Sequence, residues 1–253
     1  MILEEFDLSD DAIINPSDIV EKPSGMPKVA VTCFWGQAFH KLSEQLGGEQ
    51  IATIGNSNGD RPVYKVKYKG VEIAFYMSDM GSVGAGCDLE DIYAMGVEKV
   101  IAYGSCGVLD KEIEDCAIII PNSAVRDEGM SYHYAPPSDE IAVNQKYTAQ
   151  FVDLLETLGS TYTIGKVWTT DAFYRETKAK MERRKASGCI CVDMECAAMA
   201  AVAQFRKKDI FHFFYAEVWD KRSLGTDIRF TDKDKIALLA FEFAVCISKD
   251  GNV

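Results

Sequence analysis

The residues best placed to do chemistry are the two acids of Val192-Asp193-Met194-Glu195. They stand between an apolar, β-branched run from Cys189 and a string of small helix formers that ends at Arg206-Lys207-Lys208. The run before them reads as a buried strand and the string after them as a helix. Two carboxylates therefore sit where a strand gives way to a helix, and two readings of them stand side by side. Helix N-termini favour anions, so the acids can serve simply as caps. The mouth of a sheet is also where α/β proteins bind ligands. An ionised carboxylate there is an acceptor only and takes two hydrogen bonds from a vicinal diol such as that of a ribose.

The surrounding segments must position these acids. Lys28 to Phe34 reads as the first core strand, followed by Gly36 and a helical spacing from Gln37 to Leu46 that Gly47-Gly48 closes. A polar loop, Asn56 to Pro62, carries Arg61 and leads into Val63 to Tyr68 and Val71 to Met77, two strands joined like a hairpin. Met80-Gly-Ser-Val-Gly-Ala-Gly86 is a glycine-rich entry to a helix that matches neither dinucleotide nor P-loop fingerprints. Close packing and anion cradling explain it equally well. A strand from Glu98 to Tyr103 ends in a second glycine turn, Gly104-Ser105-Cys106-Gly107, which suggests a pocket at that strand's end. Ala117 to Ile120 is a buried strand, and Val125 to Pro137 is a polar, aromatic connection of the kind that carries function. A helix from Asn144 to Leu158, a strand from Thr161 to Trp168, and a loop from Thr170 to Thr177 entering a further helix come next. A strand from Ile210 to Ala216 and a helix from Asp232 to Ser248 close the chain. The alternation predicts the α/β class: a single-domain mixed, twisted β-sheet flanked by helices over residues 28–253, behind an acidic N-terminal arm of residues 1–27.

Composition narrows the functional classes. A net charge of −12 argues against general affinity for nucleic acid or anionic membranes, so an anionic substrate needs a locally positive or amide-lined pocket. No apolar run approaches a membrane span, and the first residues are acidic where a signal peptide is basic, so a cytoplasmic location is expected. The eight cysteines form no CxxC pair and fall mostly in apolar contexts, so neither a metal site nor a disulfide framework is expected.

Four segments in order resemble the nucleoside phosphorylase superfamily, within it the branch of uridine phosphorylase and hexameric purine nucleoside phosphorylase. They are Tyr103-Gly-Ser-Cys-Gly107, Val125 to Pro136, Thr170-Asp-Ala-Phe-Tyr174 and Val192-Asp-Met-Glu-Cys-Ala-Ala198. The resemblance covers roughly residues 28 to 245 and implies a phosphorylase-type fold. It also implies cleavage of a ribonucleoside's N-glycosidic bond with inorganic phosphate as co-substrate, no cofactor, and a homodimer or hexamer. By position, Met194 and Glu195 would hold the ribose, with His133 near ribose or base. Gly36, Gly104 and Ser105 would receive phosphate, aided by Arg61 across a dimer interface. Phe173 would stack on the base, with Arg175, Thr177 and Asp193 around it.

The chain also departs from the family pattern. Ala102 and His40 occupy positions where the family carries phosphate-clamping arginines, a loss of bidentate contacts. The acid that protonates purines falls on Val218, with Glu217 beside it and Asp220 two residues on, so Asp220 or Glu217 would have to supply the proton. A pyrimidine tolerates a missing acid, which, with the Val125–Pro136 segment, favours a uridine-type substrate. A purine nucleoside, a phosphate-independent nucleosidase and a weakly active nucleoside-binding protein are the alternatives.

Overall fold

The computed structural model describes residues 2–9, 11–57, 59–114, 117–217 and 230–249. In chain order the first elements are α1 (Pro16–Ile19), β1 (Val29–Cys33), α2 (Gly36–Gln45), β2 (Glu49–Asn56), β3 (Gly59–Tyr68) and β4 (Val71–Met77). Then follow α3 (Ser82–Ala94), β5 (Lys99–Val108), β6 (Ile118–Asp127), β7 (Glu140–Ala142), α4 (Thr148–Leu158) and β8 (Tyr162–Thr170). The last are α5 (Lys178–Ala186), β9 (Cys189–Asp193), α6 (Cys196–Phe205), β10 (Asp209–Glu217) and α7 (Phe230–Ser248).

All five residues of β1 are buried, as the centre of a parallel sheet requires. It lies between β4 and β5, parallel to both, and β10 runs parallel to β5 on the far side. The expected hairpin is present: β3 and β4 are antiparallel, and β2 adds an antiparallel edge strand. The result is the mixed α/β sheet anticipated, with ten strands among the described residues. Its closure is not anticipated. β5 pairs with β10 and β9, β10 with β6, β6 with β8, and β8 with β9, so these strands close a ring at one end of the sheet.

Three local expectations are corrected. Asn56 to Pro62 is not a polar loop: Asn56 ends β2 and Gly59 to Pro62 open β3, with Arg61 on β3 itself. Gly104 to Gly107 is not a turn: β5 continues through it, paired with Phe214 to Glu217 of β10. Ladder pairing across a ring has a use for those residues that a local reading cannot see. Likewise β6 runs on through Val125, Arg126 and Asp127, because β7 and β8 flank it.

Two apolar layers cover the sheet. Phe39, Phe75, Phe151, Phe211, Phe213, Phe241 and Phe243 form one core under α2, α4 and α7. On the other face Leu89 and Ile92 of α3 meet Met199 and Val202 of α6. Helix α6 is buried all round, and its alanines (197, 198, 200, 201 and 203) allow it to lie close to both the ring and α3. That close seat fixes the N-terminus of α6, where the two acids lie. Among the described residues no helix is long and apolar enough to cross a membrane.

Candidate active site

A cavity of about 810 Å³ opens where the C-terminal ends of β5, β9 and β10 converge, roofed by the turn after β8. Ser105, Val192, Asp193 and Glu217 line it from the strands, Met194 and Glu195 from the junction after β9, and Phe173, Tyr174 and Glu176 from the turn. Phe34 after β1, Met80 after β4 and Lys111 after β5 also line it. Ligand sites of α/β sheets lie at this end of the strands.

The two acids divide the two readings between them. Asp193 is the cap. Its Oδ2 accepts from the backbone N–H of Glu195 at 2.9 Å and of Cys196 at 2.6 Å, and its Oδ1 from the Thr169 hydroxyl at 2.7 Å. With both oxygens engaged inside the protein, it positions the start of α6. Glu195 is 8% exposed yet lines the cavity, and its Oε1 accepts from the Gly81 N–H at 2.7 Å. Gly81 has φ +90°, a conformation that favours glycine, and thereby turns its N–H toward the carboxyl. Ser82 donates to the Met194 carbonyl at 2.8 Å, a second stitch between the two loops.

Burial, and then the charge of Asp193, push the Glu195 carboxyl up to about 8, while the N–H groups of Gly81 and Met194 pull the other way. Burial raises Asp193 to about 6 against the three donors just named. Two buried acids this close do not both ionise readily. Asp193 has the more donors, so Glu195 is the acid that holds its proton near neutrality. A ribose diol donating to Glu195 would favour its ionised form.

The other sequence candidates separate. Glu195, Met194, Asp193, Ser105 and Phe173 are brought together in one cavity. Gly104 lies in a small adjoining recess of about 60 Å³ with Ser105, Tyr103, Phe34, Trp35 and Tyr215. Gly36 begins α2 and lines neither space. Thr177 is the N-cap of α5, its hydroxyl accepting from the Lys180 N–H at 3.3 Å, so it is turned to its own helix and not to the cavity. Arg175 is exposed beside it and outside the lining, as is His133 at the end of its short 3-10 turn. Asp220 and Val218 lie outside the described residues.

Arg61 is committed within its own chain. Its guanidinium grips Asp88 of α3 with two bonds of 2.7 and 2.8 Å, reaches Asp79 at 3.0 Å, and donates to the Met77 carbonyl at 3.2 Å. The Asp79 N–H donates to Asp88 at 2.7 Å, and Asn56 to Asp79 at 2.6 Å. The segment so tied, Met77 to Gly81, is the one that presents an N–H to Glu195. Arg126 is also occupied: it donates to Ser131, Ser138 and the carbonyls of Ala135 and Pro136, and stacks 4.1 Å from the centre of the Tyr132 ring.

Sequence reasoning missed Gly81, Phe34, Tyr174, Glu176 and Lys111, all contacts of Glu195 or of the cavity. The glycine-rich stretch at Met80–Gly86 held a signal for the first. Glu176 lay between two residues chosen in its place. Among the described residues no cluster of His, Cys, Asp and Glu could hold a metal ion.

The comparisons with known proteins agree with this architecture. Residues 28–214 match the model of the phosphorylase superfamily, and the chain belongs to that family. It is 33% identical to a uridine phosphorylase of Thermococcus kodakarensis over 108 residues, 43% of this chain and 39% of that protein. It is 30% identical to a DeoD-type purine nucleoside phosphorylase of Colwellia psychrerythraea over 148 residues, 57% of this chain and 63% of the relative. The matches thus span less than two thirds of either relative. Two solved structures share the fold: uridine phosphorylase from Vibrio fischeri (TM-score 0.76, 20% identity, covering 90% and 98% of the two chains), and AMP nucleosidase from Bacteroides thetaiotaomicron (TM-score 0.72, 18% identity, 89% and 91%).

Proposed function

We propose that the cavity takes a ribonucleoside and breaks its N-glycosidic bond. The observation that carries this reading is the buried Glu195 carboxyl, which shares one cavity with the Ser105 strand and the Phe173–Tyr174 aromatics. The ribose diol donates to Glu195, Met194 packs on the sugar, and the base lies against Phe173. As the C1′–N bond breaks, its electron pair leaves with the base and positive charge gathers on the ribose. An ionised Glu195 stabilises that charge in a site shielded from water. Glu217, at the end of β10 and in the cavity lining, is the described acid nearest in sequence to the position expected to protonate the base.

The family reading makes phosphate the acceptor, held by the Ser105 hydroxyl with Lys111, the cation in the described lining. One observation favours water as a second acceptor. The recess beside Gly104 holds only about 60 Å³. Phe34 fills the space above Gly104 so closely that a Cβ there would meet its ring at 3.0 Å. The sequence argument for a uridine-type base rests on the Val125–Pro136 segment and on Val218. Arg126 is spent on its own loop, which leaves base choice to the groups beside Phe173. Assembly as a dimer or hexamer belongs to the same proposal.

Purified protein incubated with uridine, cytidine, adenosine, inosine and guanosine, each with and without phosphate, tests this reading. Base release from at least one is expected, falling at least about a hundredfold in Glu195→Ala. Dependence on phosphate identifies phosphorolysis and equal rates identify hydrolysis. No release from any nucleoside, and no nucleoside binding by calorimetry that Glu195→Ala weakens, would end it.

A further inference from the structure

Three successive N–H groups lie at the start of α6, and two side chains of neighbouring strands take them. Asp193 accepts from Glu195 and Cys196, and the Thr169 hydroxyl accepts from Ala197 at 3.1 Å. Thr169 and Asp193 are ladder partners on β8 and β9, and Thr169 is wholly buried outside the cavity lining. A hydroxyl has one proton to give. With the Ala197 N–H on its oxygen, Thr169 directs that proton to Asp193 Oδ1 at 2.7 Å. Asp193 is therefore met on both oxygens by donors, and two of them are amides that cannot accept in return. Its ionised form suits all three, and protonating it weakens each.

The other titratable groups that face the pair do not reverse this order. Glu128 raises Asp193 and Asp171 raises Glu195, so each acid has one further acid against it. Burial holds the Cys191 and Cys196 thiols well above their ordinary range, and they stay neutral. Glu176, Glu217 and Lys111 stand elsewhere in the cavity wall. Burial raises the Asp193 carboxyl, and the Thr169 hydroxyl opposes it ahead of the two amides. Resting on the ribose reading of Glu195, we propose that Thr169 decides which of the two acids carries a proton. By donating to Asp193 it keeps that carboxyl charged, and the charge so fixed leaves the proton on Glu195 until a ribose diol displaces it to solvent. Thr169 touches no ligand; it is a positioning residue that acts through Asp193.

The dependence of kcat/KM on pH, measured with the nucleoside that turns over, reports ionisation of the free protein and tests this. Thr169→Val keeps the shape and loses the donor, so Asp193 takes the proton more readily and Glu195 ionises earlier. Its acid limb should move down by about one pH unit, the size expected for a lost hydrogen bond to a charged group. Thr169→Ser, which keeps the donor, should leave the limb in place. Asp193→Asn removes the charge itself and should move the limb in the same direction. Adding Thr169→Val to Asp193→Asn should move it no further, whatever happens to the rate. Should Thr169→Val fail to fold, Thr169→Cys, a weaker donor of similar size, should give the same shift at smaller amplitude. A plain helix cap lowers the rate and leaves the limb where it was. An unmoved or raised limb in the Thr169 variant that lacks the hydroxyl, or a further shift in the double variant, overturns the assignment. If base release still depends on Glu195 in that case, the nucleoside site stands and only the role of Thr169 falls. If no nucleoside is cleaved or bound, both fall together.

Discussion

Glu195 couples function to stability at a single carboxyl. Its folded-state value lies near 8, well above the ordinary glutamate value of 4.5. Between those limits the folded state holds a proton that the unfolded state has released, so stability falls as pH rises. Glu195→Gln cannot ionise and should lose that slope. Its thermal midpoint is expected to exceed that of the unaltered protein by about 5 °C or more at pH 8, and by much less at pH 5. Nucleoside affinity should move oppositely: in the unaltered protein it strengthens from pH 6.5 to 8.5 as the carboxylate forms, and in the variant it is weak throughout. Parallel midpoints across the pH range would show that Glu195 does not hold the proton. Asp193, two residues away, illustrates how little residue type says by itself. Both acids were candidates for a cap and for a ligand contact, and only the donors around each separate the roles.

At the scale of elements, the site depends on a tie between β3, α3 and the segment after β4. Arg61 draws Asp88 and Asp79 together, and the segment so tied sets the Gly81 N–H on Glu195. Arg61→Ala leaves Asp88, 2% exposed, without its bidentate partner, and should cost about 3–5 kcal/mol of stability. Arg61→Lys should cost less and allow the activity test. Withdrawing the Gly81 N–H removes a donor that favours ionised Glu195, so the acid limb of the pH–rate profile should move upward. A purely structural defect lowers the rate without moving that limb. A direct phosphate contact would instead raise KM for phosphate and leave the limb in place. The same tie explains why Arg61, isolated in a polar stretch of sequence, reads as available for a ligand when its charge is fully paired within the fold.

For the whole molecule, burial separates the first residues from those that follow. Ile2, Leu8, Ile13 and Ile14 are exposed by 79, 81, 103 and 64%, and contribute little apolar burial to this chain. Met26, by contrast, is buried against the core beside α3 and α6. Deleting residues 2–14 should therefore shift the thermal midpoint by less than about 2 °C, whereas deletion through Met26 should lower it measurably by calorimetry. A large loss from the shorter deletion would mean that the arm's isoleucines are covered by another surface.

The sequence by itself determined the class of fold, the hairpin at β3–β4, and the position of a strand-to-helix junction bearing two acids. Each of these is a local pattern: alternation, turn residues and the order of apolar runs. It could also place Met194, Glu195, Ser105 and Phe173 in one site, because the motifs that carry them follow one another in a familiar order. What only the tertiary structure decided was which neighbour satisfies each polar group. Whether Gly104–Gly107 is a turn or a strand depends on β10, more than a hundred residues later. Arg61, Arg126 and Thr177 are spent on partners inside the protein, and Glu176 is left facing the cavity. The physical reason is that hydrogen bonds and burial are properties of pairs brought together by the closed ring, and pairing at such range leaves no mark on composition or period.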